Sequence, residues 1–114
     1  MSTNTYKNEK KILRGKTTIH TAPSTGVSII KSIHITNNDE NTDSVVTVII
    51  TDTNANEFIY ERNRDVPKGS TIEILQPSND SFDSSLLVLN SSEVLKAVAD
   101  GNELHLVASV LEMT

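Results

Sequence analysis

Asn90 to Glu112 reads NSSEVLKAVADGNELHLVASVLE, and its first half parses in two incompatible ways. As a helix, it is capped by Asn90, has Glu93 three residues on as in a capping box, and ends at Gly101. As strands, it places the tight-turn dipeptide Asp100-Gly101 between EVLKAVA and ELHLVASVLE, two segments of similar length that would form a β-hairpin. The second half is not ambiguous. Leu104, Leu106, Ala108 and Val110 alternate strictly with His105, Val107, Ser109 and Leu111, which is the clearest strand pattern in the chain.

The segments upstream decide the first half. KILR and TTIHT are short extended pieces that stop at Ala22-Pro23, and Ser24 to Gly26 turn the chain into VSIIKSIHITN. There Val27, Ile29, Ile33 and Ile35 share a face, with Lys31 a violation and Ile30 an outward apolar residue, so a bulge near Ile30 is expected. NNDENTD is a loop by composition. SVVTVIITDT puts Val46, Val48 and Ile50 on one face and Val45, Thr47, Ile49 and Thr51 on the other, as in a central strand. EFIYER, TIEIL with Ile72 and Ile74 in phase, and LLVLN read as further strands, and QPSNDSFDSS reads as the longest loop. The pattern predicts an all-β fold, a single antiparallel β-sandwich or jelly roll of about seven or eight short strands with an extended N-terminal arm. In that context a lone ten-residue helix would be marginal and inconsistent with its surroundings, so the hairpin at Asp100-Gly101 is the expectation.

Composition sets the remaining bounds. A chain of 114 residues is one domain and buries roughly 65% of its unfolded surface without metal or disulfide support. There is no cysteine, which excludes thiolate chemistry and Cys-based zinc sites. No apolar leader or eighteen-residue apolar run is present, so the expectation is a soluble protein made in a cytoplasm, with no membrane partner. Ser, Thr and Asn make up about a third of the residues and tryptophan is absent, a composition that favours short strands and polar turns. Charge is uneven: Lys7, Lys10, Lys11, Arg14 and Lys16 against Glu9 give the first sixteen residues +4, leaving −9 on the remainder of a chain of net −5. MSTNTYKNE is polar and aperiodic, so residues 1–10 are expected as a flexible basic arm and residues 11–114 as the folded domain.

Three segments, TTIHTAPSTGVSIIKSIHITN, DVPKGSTIEIL and VLNSSEVLKAVADGNELHLVASVLE, occur in an order and at separations that resemble a family of small virion structural proteins of tailed phages. The resemblance spans about Thr17 to Glu112 and rests on turn residues and strand pattern, with no catalytic signature. NSSEV stands where that family usually has a Gly-Asp turn. The resemblance implies a β-sandwich located in the virion, assembled in the host cytoplasm, that adheres to other proteins without catalysis. Its implied partners are copies of itself, trimers being a common arrangement for such decorations, and other virion proteins such as the major capsid or tail proteins. Physically, Pro23 and Gly26, and Pro67 and Gly69, read as turn elements in which proline fixes φ and glycine supplies a left-handed residue. Asp100 and Gly101 read as a third turn.

Each candidate site has a plainer reading. DTNANE at Asp52 to Glu57 resembles the start of a calcium loop, but Glu57 stands where glycine is needed and Asn63 where a bidentate glutamate is needed, so a polar hairpin turn is the better reading. Asp39, Glu40 and Asp43 form an acidic loop for which solubility is a better reading than a hard cation. His20, His34 and His105 lie on different strands, the last two in the solvent or interface phase, and lack zinc-ligand spacing. Asn79-Asp80-Ser81 and Asn90-Ser91-Ser92 match the glycosylation acceptor pattern by chance. There is no nucleophile motif, phosphate loop or assignable carboxylate pair, so the sequence indicates no enzyme, no cofactor, no resident metal and no catalytic residue. The interaction residues it nominates are Tyr6, Lys7, Lys10, Lys11, Arg14 and Lys16. Nucleic acid is disfavoured as their target, because the acidic body would repel it and one tyrosine is too little for a stacking platform. The expected function is a non-enzymatic accessory or decoration component, cement-like, that binds the head or tail through sandwich edges and this arm. The alternative is a receptor- or carbohydrate-binding module of a tail or fibre.

Overall fold

The computed structural model describes residues 3–75 and 86–114, with residues 100–103 as backbone alone. The described chain is all-β and antiparallel, in seven strands: β1 (Asn4–Thr21), β2 (Val27–Asn37), β3 (Ser44–Thr51), β4 (Glu57–Val66), β5 (Thr71–Glu73), β6 (Leu87–Leu89) and β7 (Val94–Met113). The expected fold class is the observed one, with two of the strands far from short: β1 has 18 residues and β7 has 20.

There is no hairpin at Asp100-Gly101, which lies inside β7. The N-terminal half of β7 pairs with β3 (Val45↔Asp100 to Thr51↔Val94), and the C-terminal half pairs on the same edge with β2 (Asn37↔Leu104 to Val27↔Met113). On its other edge β7 pairs with β1, with two irregularities: residues 100–103 stand opposite Arg14 alone, between Leu13↔Leu104 and Gly15↔Ala99, and Ile19 is an extra β1 residue between Thr18↔Lys96 and His20↔Leu95. Residues 38–43, which join β2 to β3, fall at the same level. The four extra residues of β7 and the connection from β2 to β3 thus coincide at one corner, which β1 passes with Arg14 alone and where the sheet folds over into a β-sandwich-like arrangement. One layer is β4-β3-β7-β1, using residues 94–100 and 15–21 of the long strands. The other is β1-β7-β2 with β5 and β6 end to end on the far edge of β2. Leu95, Ala97 and Ala99 from the first half of β7, and Leu104, Leu106, Ala108 and Val110 from the second, enter a single core with Leu13, Ile19 and Val48.

The helical signals at Asn90 have a different use. The Asn90 N–H donates to Glu93 Oε1 at 2.8 Å, the capping-box contact, and the Glu93 N–H donates to the Asn90 carbonyl at 3.0 Å, closing a turn with Ser92 at φ 66° that leads straight into β7. The expected bulge in β2 is present between Ile30 and Ser32, with Lys31 as the extra residue. It places Ser28 and Ile30 inward in phase with Ile33 and Ile35, so Val27 and Ile29 lie on the outer face, contrary to the face that unbroken alternation predicts for them. β3 is central, between β4 and β7, as expected.

The segment expected as a flexible arm is extended, but from Asn4 onward it lies on the sheet, paired residue by residue with β7 from Asn4↔Met113 to Lys10↔Val107. Gly69 takes the left-handed φ of 67° after Pro67, as expected. Gly26 does not: glycine is needed there because a Cβ would sit 2.0 Å from the Met113 carbonyl oxygen, where the end of the chain passes. DTNANE is a hairpin turn in which Asp52 Oδ1 accepts from the N–H groups of Asn54 and Asn56, each at 2.9 Å. These bonds, that of Asn56 first, hold the Asp52 carboxyl below its ordinary value. The QPSNDSFDSS loop and the Asn79 acceptor lie outside the described residues.

Asn37 organises the corner. It is fully buried, its Nδ2 donates to the carbonyls of Thr42 (2.8 Å) and Val66 (3.1 Å), and its Oδ1 accepts from the Asp39 N–H at 3.0 Å. Three hydrogen bonds on one buried amide predict that Asn37→Ala lowers unfolding free energy by about 2–3 kcal/mol, checked by urea titration. A loss within ~0.5 kcal/mol would contradict this role for the corner.

Candidate interaction surface

Strand register determines which side chains share the outer face of the layer built from β1, β7, β2, β5 and β6. Residues paired across an antiparallel ladder point the same way, so the face can be read as cross-strand rows. Tyr6, Leu111, Ile29 and Val88 form one continuous apolar row over four strands. Met113 and Val27 lie beside it at the chain end. On the other side follow Asn8, Ser109 and Ser32, then Lys10, Val107, His34 and Glu73, then Ile12, His105, Thr36 and Thr71. Of the eight exposed large hydrophobics among the described residues, five are on this face: Tyr6 (72% exposed), Ile12, Val88 (50%), Val107 and Met113. Scattered apolar residues are ordinary on a surface, but a four-strand row with neighbours above and below is a contiguous patch.

Two shallow clefts of ≈ 400 Å³ each open on it. One surrounds the β2 bulge, lined by Tyr6, Asn8, Lys31, Ser32 and Ser109, with the Lys31 ammonium 5.5 Å from the centre of the Tyr6 ring. The other is lined by Lys10, Lys11, Ile12, His105, Leu106 and Val107. The single carboxylate in the rows, Glu73, is engaged by His34 at 3.3 Å, so the face is apolar with a basic character supplied by Lys10 and Lys31.

The six residues nominated from sequence do not converge on one patch. Alternation along β1 sends Tyr6 and Lys10 to this outer face, and Lys7 and Lys11 to the opposite side of the strand. Arg14 stands at the corner. Lys16 is on the other layer, where it forms an ion pair with Glu57 of β4. His34 and His105 are exposed, on the face just described, as their strand phase indicated.

His20 has a role that the sequence does not signal. It is buried, 3% exposed, and bridges the two layers at their open end. Its Nδ1 lies 2.6 Å from Glu9 Oε2, and its Nε2 lies 2.8 Å from Ser28 Oγ and 3.5 Å from Glu112 Oε2; Lys7 in turn meets Glu112 at 3.1 Å. The Ser28–His20–Glu9 connectivity is that of a hydrolytic triad, but Ser28 is completely buried, so its hydroxyl faces protein rather than a substrate. The cluster is a polar clamp: it joins β1 to itself across the sandwich and to β2 and β7. No local motif reveals it, because the partners come from positions 9, 28 and 112. Among the described residues, no group of three or more His, Asp or Glu is arranged to hold a metal ion.

No family model, curated protein or solved structure matches the chain.

The Lys16–Glu57 pair gives a pH signature. The hydrogen bond from Lys16 holds the Glu57 carboxyl below its ordinary value of 4.5; desolvation opposes this, and the charges of Lys16 and Lys96 add to it. A depressed carboxyl stabilises the fold above its unfolded-state value, and that contribution is lost as pH falls through the folded value. Lys16→Met is therefore expected to be less stable than the parent near neutral pH, with the difference shrinking as pH is lowered below 4.5 in denaturant titrations at stepped pH. A difference independent of pH would contradict the pairing.

Proposed function

We propose that the chain is a non-enzymatic structural protein of a tailed-phage virion, an oligomeric accessory or decoration component that binds the head or tail. The observation that carries this reading is the outer face of the β1-β7-β2 layer, with its four-strand apolar row of Tyr6, Leu111, Ile29 and Val88 and its basic flanks. A sheet face of this kind gains free energy when another protein covers it. The resemblance of three segments to small virion proteins supports the same reading.

The contact element is the face more than the sheet edges. The free edge of β1 carries lysines and register shifts, and that of β4 carries irregular pairing and Asn63 at φ 49°, features that discourage indiscriminate strand addition. Binding then works by repetition: several modest faces on one oligomer engage repeated sites on a particle at once.

An antibody against the chain is expected to label purified virions at the head or tail, and Val107→Asp is expected to reduce that labelling at least tenfold while leaving the melting temperature of the isolated protein unchanged. Absence of label from all particles would overturn the proposal. Label confined to fibre tips would transfer the protein to the receptor-binding alternative.

A further inference from the structure

The first half of β1 is attached to the molecule in an unusual way. From Asn4 to Ile12 no side chain is buried, although every residue is paired with β7. Its inward positions are Thr5, Lys7, Glu9 and Lys11, polar residues where a core strand has aliphatic ones. It is held by a backbone ladder, by the Lys7–Glu112, Glu9–His20, Asn8–Ser109 and Tyr6–Lys31 contacts, and by one apolar plug at its end, the fully buried Leu13. Immediately beyond, Gly15 takes φ 68° with open space around it, and the register jumps opposite residues 100–103 of β7. A polar strand with a single core residue, Leu13, beside a glycine is an element whose departure takes one side chain from the core, which the equivalent strand of another copy would replace.

We infer that residues 4–13 dock on the second half of β7 of another copy of this chain, so that oligomers form by reciprocal exchange of this strand. The ladder, the plug and the polar side-chain contacts would be regained identically on the second copy, with its His20 receiving the incoming Glu9. Two observations favour a second copy as the occupant. Residues 4–13 carry Lys7, Lys10 and Lys11 against Glu9, and so are drawn to the acidic remainder of a neighbouring chain as well as to their own. The apolar outer face lies on the same strands and supplies the additional contact that exchanged subunits would bury. The inference deepens the reading of the chain as an oligomeric structural protein and rests on copies meeting in solution.

Asn8 and Ser109 provide the test, because they are direct cross-strand partners whose side chains are 3.2 Å apart and the chain has no cysteine of its own. Full-length Asn8→Cys and Ser109→Cys chains, one carrying a size tag, are unfolded together, refolded and oxidised. Exchange predicts a disulfide-linked hetero-dimer as the main product on a non-reducing gel, and far less product when Asn54→Cys replaces Ser109→Cys as a collision control. Native mass spectrometry of the unmodified protein separates the failures. An oligomer without the specific cross-link overturns strand exchange and leaves the assembly reading intact, whereas a monomer at all concentrations overturns both.

Discussion

The structure depends on β7 running as one strand through two halves, each paired along both edges, while its neighbours on one edge change between them. Residues 94–100 satisfy their backbone groups against β3, residues 104–113 against β2, and β1 closes the other edge of both halves. A central strand cannot leave its N–H and C=O groups unpaired inside a core, so wherever β7 bends, the strands on either side must bend with it. They do so at one level: residues 38–43 join β2 to β3 there, and β1 passes with Arg14 alone opposite residues 100–103 of β7. Because every bend occurs at the same corner, alternate residues of both halves of β7 point into one core, and the opposite alternates form two outer faces.

The faces differ in what covers them. On the β4-β3 side, Ile49 is 7% exposed although the register places it outward, and across the ladders it meets Lys96 and Ile59. The Lys16–Glu57 pair lies on that layer, and among the described residues Ile59 at its β4 edge is the one outward apolar partner left exposed, at 45%. On the β1-β7-β2 side the apolar row is longer, crossing four strands with Tyr6 and Val88 exposed at its ends and Leu111 and Ile29 half-buried between them. That asymmetry is why an interaction role belongs to one face rather than to the sheet edges. The His20 clamp belongs to the same geometry: folding the sheet over brings the two ends of β7 together, so residues 9, 20, 28 and 112 meet at the open end of the sandwich. A buried histidine flanked by two carboxylates requires all of its partners at once, and it therefore makes the closure of the two layers specific.

Features fixed by short-range alternation were legible in the sequence. The β2 bulge could be read from Lys31 interrupting an apolar face, the central position of β3 from valine and isoleucine on both of its faces, and the Pro67-Gly69 turn from its backbone chemistry. The failures share a cause. Asp100-Gly101 has the chemistry of a hairpin, but its neighbours across the ladder are Val45 and the corner at Arg14, tens of residues away, and non-local pairing overrode the dipeptide's preference. Asn4 to Ile12 has no apolar alternation because it buries nothing; a strand held by its ladder and by ionic contacts is silent to periodicity and looks like a tail. Asn90 and Glu93 do make a capping-box contact, yet the chain leaves it into a strand. The interaction face was legible only in part. Val107, Leu111 and Ile29 are apolar residues on β-strands, and which side of the sheet they occupied depended on the bulge and on the continuity of β7.

The continuity of β7 is thus the central claim, and inter-strand proton contacts of Ala97 test it most directly. If β7 is one strand, nuclear Overhauser effects connect Ala97 with Thr17 on one side and with Val48 on the other. If Asp100-Gly101 were a two-residue hairpin turn, Ala97 would instead contact Leu104, and observation of that contact would contradict the fold from which the interaction face is read.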